Sequence, residues 1–377
     1  NFEGYTNDIQ ISVSAEVYEN LNAEKNTDKY EYISPNFNVS KNFQTNLNGS
    51  LSMTSIGYNK LFDTNKNEKI FINNFNYKSL DSINNLGLIN NYEFFVKNFN
   101  ANSNNSDKLK NKTEHQLEGI IQFNSKLPLK KEGNKFFSTL TPILSAKFNP
   151  YPSKNIRTDT RIVDYSNIFS VNRLSSNETV ESGESITIGN EYKIFNNNNS
   201  DNEIFGLNLA TSFRRNENDD LPTSSYLGKK TSNIVGQMNL RTNEFIEFGY
   251  DFSSDNNLGQ MNYHKIDTTF KVNNFVTSFE FIEENNTIGN ESFIANETSY
   301  IIDENKNIKF KTRKNKKTNL TEYYNLIYQY KMDCLVAGIE YNKKYYNDGV
   351  LKPEESIFFS VTLMPFGNKT KLPGIDK

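Results

Sequence analysis

The side chains most suited to nucleophilic, acid–base or soft-metal chemistry are scarce in this chain. It has one cysteine, Cys334, and two histidines, His115 and His264. Zinc is held by clusters of Cys and His, and three such residues scattered along the chain exclude a cluster of that kind. His115 sits in a strand-like run over 113–123 and His264 in another, and neither has a nearby Cys, His or acidic cluster at ligand spacing. A phospholipase would need a Ser and a His held by a polar third residue; that arrangement is spatial, and no spacing here points to it. Asp63, Asn65, Asn67 and Glu68 faintly resemble a calcium loop, but Glu68 stands where such a loop needs glycine, so a solvated hairpin tip is the better reading. Asn-x-Ser/Thr triplets, as at Asn48 and Asn111, are expected by chance in so Asn-rich a chain. No catalytic residue, metal site or cofactor is therefore assigned, and no enzyme is expected. The net charge of −3 comes without a basic stripe, so nucleic acid is not an expected partner.

The elements that would position these residues are strands. Ile9, Ile11, Val13, Ala15 and Val17 alternate with Gln10, Ser12, Ser14 and Glu16, which puts one set on each face of a strand. The pattern recurs at Phe205–Leu209, Ile234–Leu240, Ile246–Phe252, Tyr324–Tyr330 and Ile357–Leu363. Between the runs lie stretches rich in Asn, Asp and Gly, such as 196–202, 216–220 and 255–257. Asn and Asp tolerate positive φ and cap turns with their own side chains, so these read as hairpin connections. Hydrophobic residues make up 35% and aromatics 13%, with 29 Phe and 21 Tyr. Few apolar residues with many aromatics suits strands that have one apolar and one wet face, with aromatic girdles at two interfaces. No run of apolar residues is long enough for a transmembrane helix, and membrane strands would not show themselves that way.

About 18 strands of roughly ten residues are expected, the length that crosses a bilayer when tilted. A sandwich of so many long strands would have to split into several domains, so the fold class is all-β, an antiparallel transmembrane β-barrel. Two interruptions stand out. Pro142 breaks the apolar face of Leu140, Leu144, Ala146 and Phe148; without an N–H it marks a strand end, a bulge or a defect in the wall. The segment 149–182 is the longest without alternation. Its length is uncommon for a plain loop and its aromatic residues argue against disorder, so it is expected to fold back on the barrel mouth or lumen. The lone Cys334 is either a free thiol or paired outside the chain.

At this point the residues resemble a family. Leu140 with Pro142, then Tyr165–Phe169, then Asn172-Arg173, then Glu178 with Glu181, and then the 186–195 strand follow, in order, a block of the LPS-assembly protein LptD family. The hairpin at 232–236 resembles the family's S-x-I-V-G element. Cys334, Tyr341 with Lys343 and Lys344, and the 357–366 run resemble its C-terminal end. The second half of the chain carries the match, while the first 130 residues agree only as hairpins.

The resemblance implies a bacterial outer-membrane barrel through which lipopolysaccharide reaches the cell surface, leaving sideways through a seam between the first and last strands. It implies as partners lipopolysaccharide, outer-membrane lipid, an LptE-like lipoprotein plug and the periplasmic bridge proteins of the export machine. Cys334 would then join a cysteine of a preceding periplasmic jellyroll domain, and Ile357, Phe359, Val361 and Leu363 would form the gate strand. Pro142, Phe169, Asn172 and Arg173 would be loop and wall elements. The chain departs from the family in three ways. It lacks the jellyroll, it has one Cys where many members have a pair, and it has fewer strands than the family's barrel of about 26. Residues 1–377 are thus expected to be the C-terminal part of the barrel. A generic porin or receptor barrel, and a secreted β-rich adhesin, are the alternative readings.

Overall fold

The structure is a computed structural model that describes residues 2–20, 28–106, 109–197, 199–242, 245–332, 334–345 and 353–363. Its first strands are β1 (Phe2–Tyr5), β2 (Ile9–Glu19), β3 (Tyr30–Phe43), β4 (Gly49–Phe62), β5 (Asn67–Ser79), β6 (Ser82–Ile83) and β7 (Ile89–Asn104). Next come β8 (Glu114–Lys126), β9 (Leu129–Glu132), β10 (Phe136–Asn149), β11 (Gly183–Asn196), β12 (Asn199–Arg214), β13 (Ile234–Thr242) and β14 (Ile246–Ser254). The last are β15 (Met261–Val272), β16 (Phe275–Glu284), β17 (Ser292–Asp303), β18 (Lys306–Asn315), β19 (Leu320–Lys331), β20 (Leu335–Lys344) and β21 (Glu354–Leu363). All 21 belong to one sheet, and a three-residue 3₁₀ turn at Thr223–Ser225 is the only helical element among the described residues. The count exceeds the expected 18 because β1, β6 and β9 are pieces of four residues or fewer. Such pieces carry too few side chains to show a period.

The chain divides into two units: 1–193 with 207–236 and 253–260, and 194–206 with 237–252 and 261–377. In the first, antiparallel pairing runs between sequence neighbours from β1 to β5 and then through β7, β8 and β10. Pro142 sits where β10 changes partner. Residues up to Leu140 pair with β9 and residues from Ile143 pair with β8, while the Pro142 carbonyl accepts the Leu127 N–H at 3.1 Å. A residue without an N–H fits such a break, where no ladder bond is lost.

At many positions of this sheet an apolar side chain is exposed while a polar neighbour is buried, although Ile72, Phe95, Phe99 and Ile120 are also buried on the covered face. On β7, Tyr92 is 51% exposed and Lys97 is 1% exposed; on β8, Ile121 is 49% exposed and its neighbour Gln122 is 0% exposed. The same holds for Leu144 and Phe148 against Ser145 and Lys147, for Ile186 and Ile188 against Ser185 and Thr187, and for Phe213 against Ser212. In water this would leave a continuous apolar face unburied, far beyond what soluble monomers tolerate. Against hydrocarbon it is the stable arrangement.

In the second unit, β15 to β21 form an unbroken antiparallel meander. Its registers place Lys265, Asp267, Glu280, Glu297, Lys309 and Lys311 on one face, where Glu297 bridges both lysines at 2.9 Å. Ile266, Phe270, Phe279, Ile308 and Phe310 lie on the other. Turns alternate in length as well. The connections at 273–274 and 304–305 have two residues each, whereas those at the opposite ends of the strands, 285–291 and 316–319, are longer.

Candidate functional site

The site is the loop 150–182 between β10 and β11, seated on the polar face of the first unit's strands. Its two stems are tied together before it spreads. Ser153 Oγ donates to the Val180 carbonyl at 3.1 Å and accepts the Ser182 N–H at 3.0 Å, and the Lys154 N–H reaches Thr179 Oγ1 at 3.0 Å. Asp164 then caps its own turn, accepting from the Ser166 N–H at 2.9 Å and its hydroxyl at 2.6 Å. That turn aims two aromatics at the strands. The Tyr165 hydroxyl donates to Glu191 at 3.0 Å, and the Phe169 ring lies over Gly189 of β11, where an added Cβ would stand 2.5 Å from its edge. Burial, followed by the charge of Glu191, pushes the Tyr165 phenol well above its ordinary range.

A buried loop leaves carbonyls and N–H groups that must find partners. Here the strand side chains supply them. Gln122 donates to the Phe169 carbonyl at 2.8 Å, Lys147 to that of Ser170 at 2.8 Å, and Lys97 to that of Asn177 at 3.3 Å. Glu118 accepts from the Thr179 hydroxyl at 2.8 Å and the Val180 N–H at 2.6 Å. Between these bonds Val171 and Val180 pack on Phe95 and Ile120. Each such fully buried aliphatic contributes about 1.5–3 kcal/mol. A second loop, 215–233, covers the first. Its Leu221 and Leu227 join Ile156, Val163, Ile168 and Leu174 in one apolar cluster, and Ile156 N–H donates to the Asp220 carbonyl at 2.8 Å. Under the loop the covered polar side chains Gln122, Lys147, Lys97 and Glu118 are thus bonded to loop groups.

At the centre stands a charge network. Arg173 is 1% exposed and holds Glu181, 2% exposed, through a two-point fork with Nε–Oε2 at 2.6 Å and Nη2–Oε1 at 2.7 Å. Its remaining donors reach Ser185 at 2.9 Å, Thr187 and Ser212 at 3.0 Å, and the Ile168 carbonyl at 3.3 Å. Arg214 of β12 reaches the same carboxylate at 2.5 Å, and Lys147 of β10 stands 3.9 Å away. Burial alone would raise the Glu181 pKa, but Arg173, Lys147 and Arg214 outweigh it and hold the carboxyl at about 2. What the arrangement can do is fix a carboxylate and a loop against a basic wall.

Residues 2–292 match the family model described as LptD: LPS transport system D. The chain belongs to the LptD family. This LptD-family chain is accordingly an outer-membrane β-barrel protein of lipopolysaccharide transport. No curated protein matches it. Among solved structures, the siderophore receptor PirA of Acinetobacter baumannii matches 94% of the chain and 68% of its own length, at 8% identity and a TM-score of 0.43. A mutant of the ferric enterobactin receptor PfeA of Pseudomonas aeruginosa matches 95% and 68%, at 7% identity and 0.42. A mutant Rh. blastica porin matches 82% and 98%, at 9% identity and 0.31. Likenesses this distant carry no argument about function.

Of the residues singled out in the LptD-like block, Phe169 and Arg173 meet in the site. Asn172 turns the chain between them, its carbonyl accepting the Ser175 N–H at 3.3 Å. Pro142 lies instead at the β8–β9 break. Ile357, Phe359, Val361 and Leu363 are all on β21, exposed, and paired in register with β20; residues 364–366 of that run lie outside the described residues. Cys334 is exposed between β19 and β20, at the short-turn end of the second unit. His115 bonds Asn100 at 2.7 Å and His264 bonds Glu283 at 2.9 Å. Asp63 accepts the Tyr30 N–H at 3.0 Å, as a hairpin tip would. Lys147 and Arg214 were not singled out in the sequence, because a basic residue on a polar face looks the same whether it is solvated or buried.

Proposed function

We infer that the chain forms the outer-membrane exit of lipopolysaccharide transport, with the lipid leaving laterally along β21. The observation that carries this reading is the family match across 2–292 joined to a sheet whose exposed face is apolar and whose covered face buries polar side chains such as Lys97, Glu118, Gln122 and Lys147. A lateral exit needs an edge that can part from its neighbour, because ladder bonds broken in hydrocarbon have no water to replace them. β21 suits that role. Both its faces are exposed, and among the described residues of its unit it pairs only with β20. The partners in this reading are an LptE-like lipoprotein within the barrel and the periplasmic bridge proteins that deliver the lipid. Cys334 would bond a cysteine of a periplasmic domain; its place among the short turns supports this, since short turns of such barrels face the periplasm.

The test is depletion of the protein in its own host, with surface-restricted labelling of newly made lipopolysaccharide. Arrest of surface delivery before any change in small-solute uptake supports the reading. Loss of solute uptake with surface delivery intact would overturn it in favour of a porin or receptor.

A further inference from the structure

Resting on the reading that this barrel handles lipopolysaccharide, we propose that β10, β11 and β12 carry a phosphate-binding site for the lipid headgroup, and that Glu181 of the covering loop fills it as a resident carboxylate until cargo displaces it. The strands themselves are basic here. Lys147 and Arg214 project from the covered face of β10 and β12, with the hydroxyls of Ser185, Thr187 and Ser212 between them. The covered positions from Ser145 to Asn149, from Ser185 to Gly189 and from Asn208 to Arg214 include no carboxylate. Glu93, one of the acidic groups facing Lys147, is bridged to Lys78 at 3.1 Å.

The one carboxylate in the network comes from the loop. Glu181 lies 2.5 Å from Arg214 and 3.9 Å from Lys147, and its remaining partner, Arg173, is also a loop residue. If the loop lifts, Arg173 and Glu181 leave as a neutral pair. Two cations and three hydroxyls stay on the wall, with Glu93, already bridged to Lys78, as the acidic group left facing Lys147. Arg is suited to paired bonds with phosphate oxygens, and a phosphate dianion balances two cations where a single carboxylate does not. Where the loop enters β11, Gly183, the strand's first residue, has φ +84°, and a Cβ there would stand 2.9 Å from Arg214 Nη1, so the backbone passes close to that cation. The bonds that Glu181 makes to Arg214 and Lys147 are polar and can be exchanged for those of an anion, while Val171 and Val180 hold the neighbouring loop by apolar packing. The proposal thus describes a competition between Glu181 and phosphate for the same two cations.

The experiment uses the full chain in detergent and measures binding of bisphosphorylated lipid A, of its dephosphorylated counterpart and of inorganic phosphate. Glu181→Gln should bind bisphosphorylated lipid A about tenfold more tightly than the native protein, with no gain for the dephosphorylated lipid. Adding Lys147→Met and Arg214→Met should abolish the gain. Equal gains for both lipids, or a gain that survives loss of both cations, would overturn the proposal. A gain for inorganic phosphate alone would overturn the headgroup as its source. Because substitution at Arg214 can disturb folding, the native protein gives a second readout. Bisphosphorylated lipid A should speed tryptic cleavage at the exposed Arg157 of the loop, the dephosphorylated lipid should not, and no acceleration counts against the site. These measurements read binding and not surface delivery, so they can fail while the export assay succeeds, and the reverse.

Discussion

Replacing Arg173 by alanine should release the 150–182 loop without unfolding the strands. The substitution removes five N–H donors that make six contacts, two of them to Glu181 and four to Ile168, Thr187, Ser185 and Ser212. It also leaves a buried carboxylate without its principal partner. Breaking a buried pair from one side costs about 3–5 kcal/mol. The lower end applies here, because Arg214 still reaches Glu181 at 2.5 Å and Lys147 lies within 3.9 Å. Solvent screening does not reduce the figure, since neither Arg173 nor Glu181 is more than 2% exposed. A loss of about 3 kcal/mol makes loop opening roughly a hundredfold more frequent. Arg173→Lys keeps the charge and loses the fork, so an intermediate effect is expected. The assay is hydrogen–deuterium exchange of the folded protein in detergent, comparing peptides over 150–182 with peptides from β4 and β5 as internal controls. Faster exchange in the loop with unchanged strands is the expected result. Unchanged loop exchange in the alanine variant would refute the account of how the loop is held.

Three other outcomes follow from the same geometry. Gly189→Ala places a Cβ 2.5 Å from the Phe169 ring and 2.9 Å from the Leu209 carbonyl; it should speed exchange at 165–170 and cost about 1–3 kcal/mol, while Phe169→Ala combined with it should recover only the ring's share. The Glu181 carboxyl is held at about 2, below its ordinary value of 4.5, so loop protection should be constant above roughly pH 4.5 and decline as pH falls toward 2. Glu181→Gln should remove that decline. Ile121→Arg, in the middle of β8 on the exposed face, should lower folding stability in lipid vesicles by about 2–4 kcal/mol, measured by denaturant titration, whereas Gln122→Asn beside it should instead loosen the loop.

The strands were legible because burial on one face imposes period two. The run Ile9–Val17 is β2, Ile246–Ser253 falls in β14, and the 357–363 run falls in β21. The 149–182 segment was legible as an exception to that period. What it does was not legible, because Arg173, Glu181, Lys147 and Arg214 come from a loop and two strands up to 67 positions apart, between Lys147 and Arg214, and alternation says nothing of such pairings. Arg173 and Glu181 were noticed only through resemblance to a family block. One local signal for the wall was available: Ser145, Lys147 and Asn149 share a face with no apolar residue opposite the loop's origin. Partner exchange at Pro142 was half legible, since proline shows where a ladder breaks and not which strand takes over.

Spin labels scanned through β7 and β8 in a Cys334→Ser background, reconstituted in lipid, test the central claim most directly. Labels at Tyr92, Phe94, Val96, Leu117 and Ile121 should be relaxed by oxygen, which concentrates in hydrocarbon, and shielded from a water-soluble nickel chelate. Labels at Glu93, Lys97, Glu118 and Gln122 should not be relaxed by oxygen. Oxygen relaxation at the second set, or chelate access throughout the first, would contradict a sheet whose apolar face meets lipid.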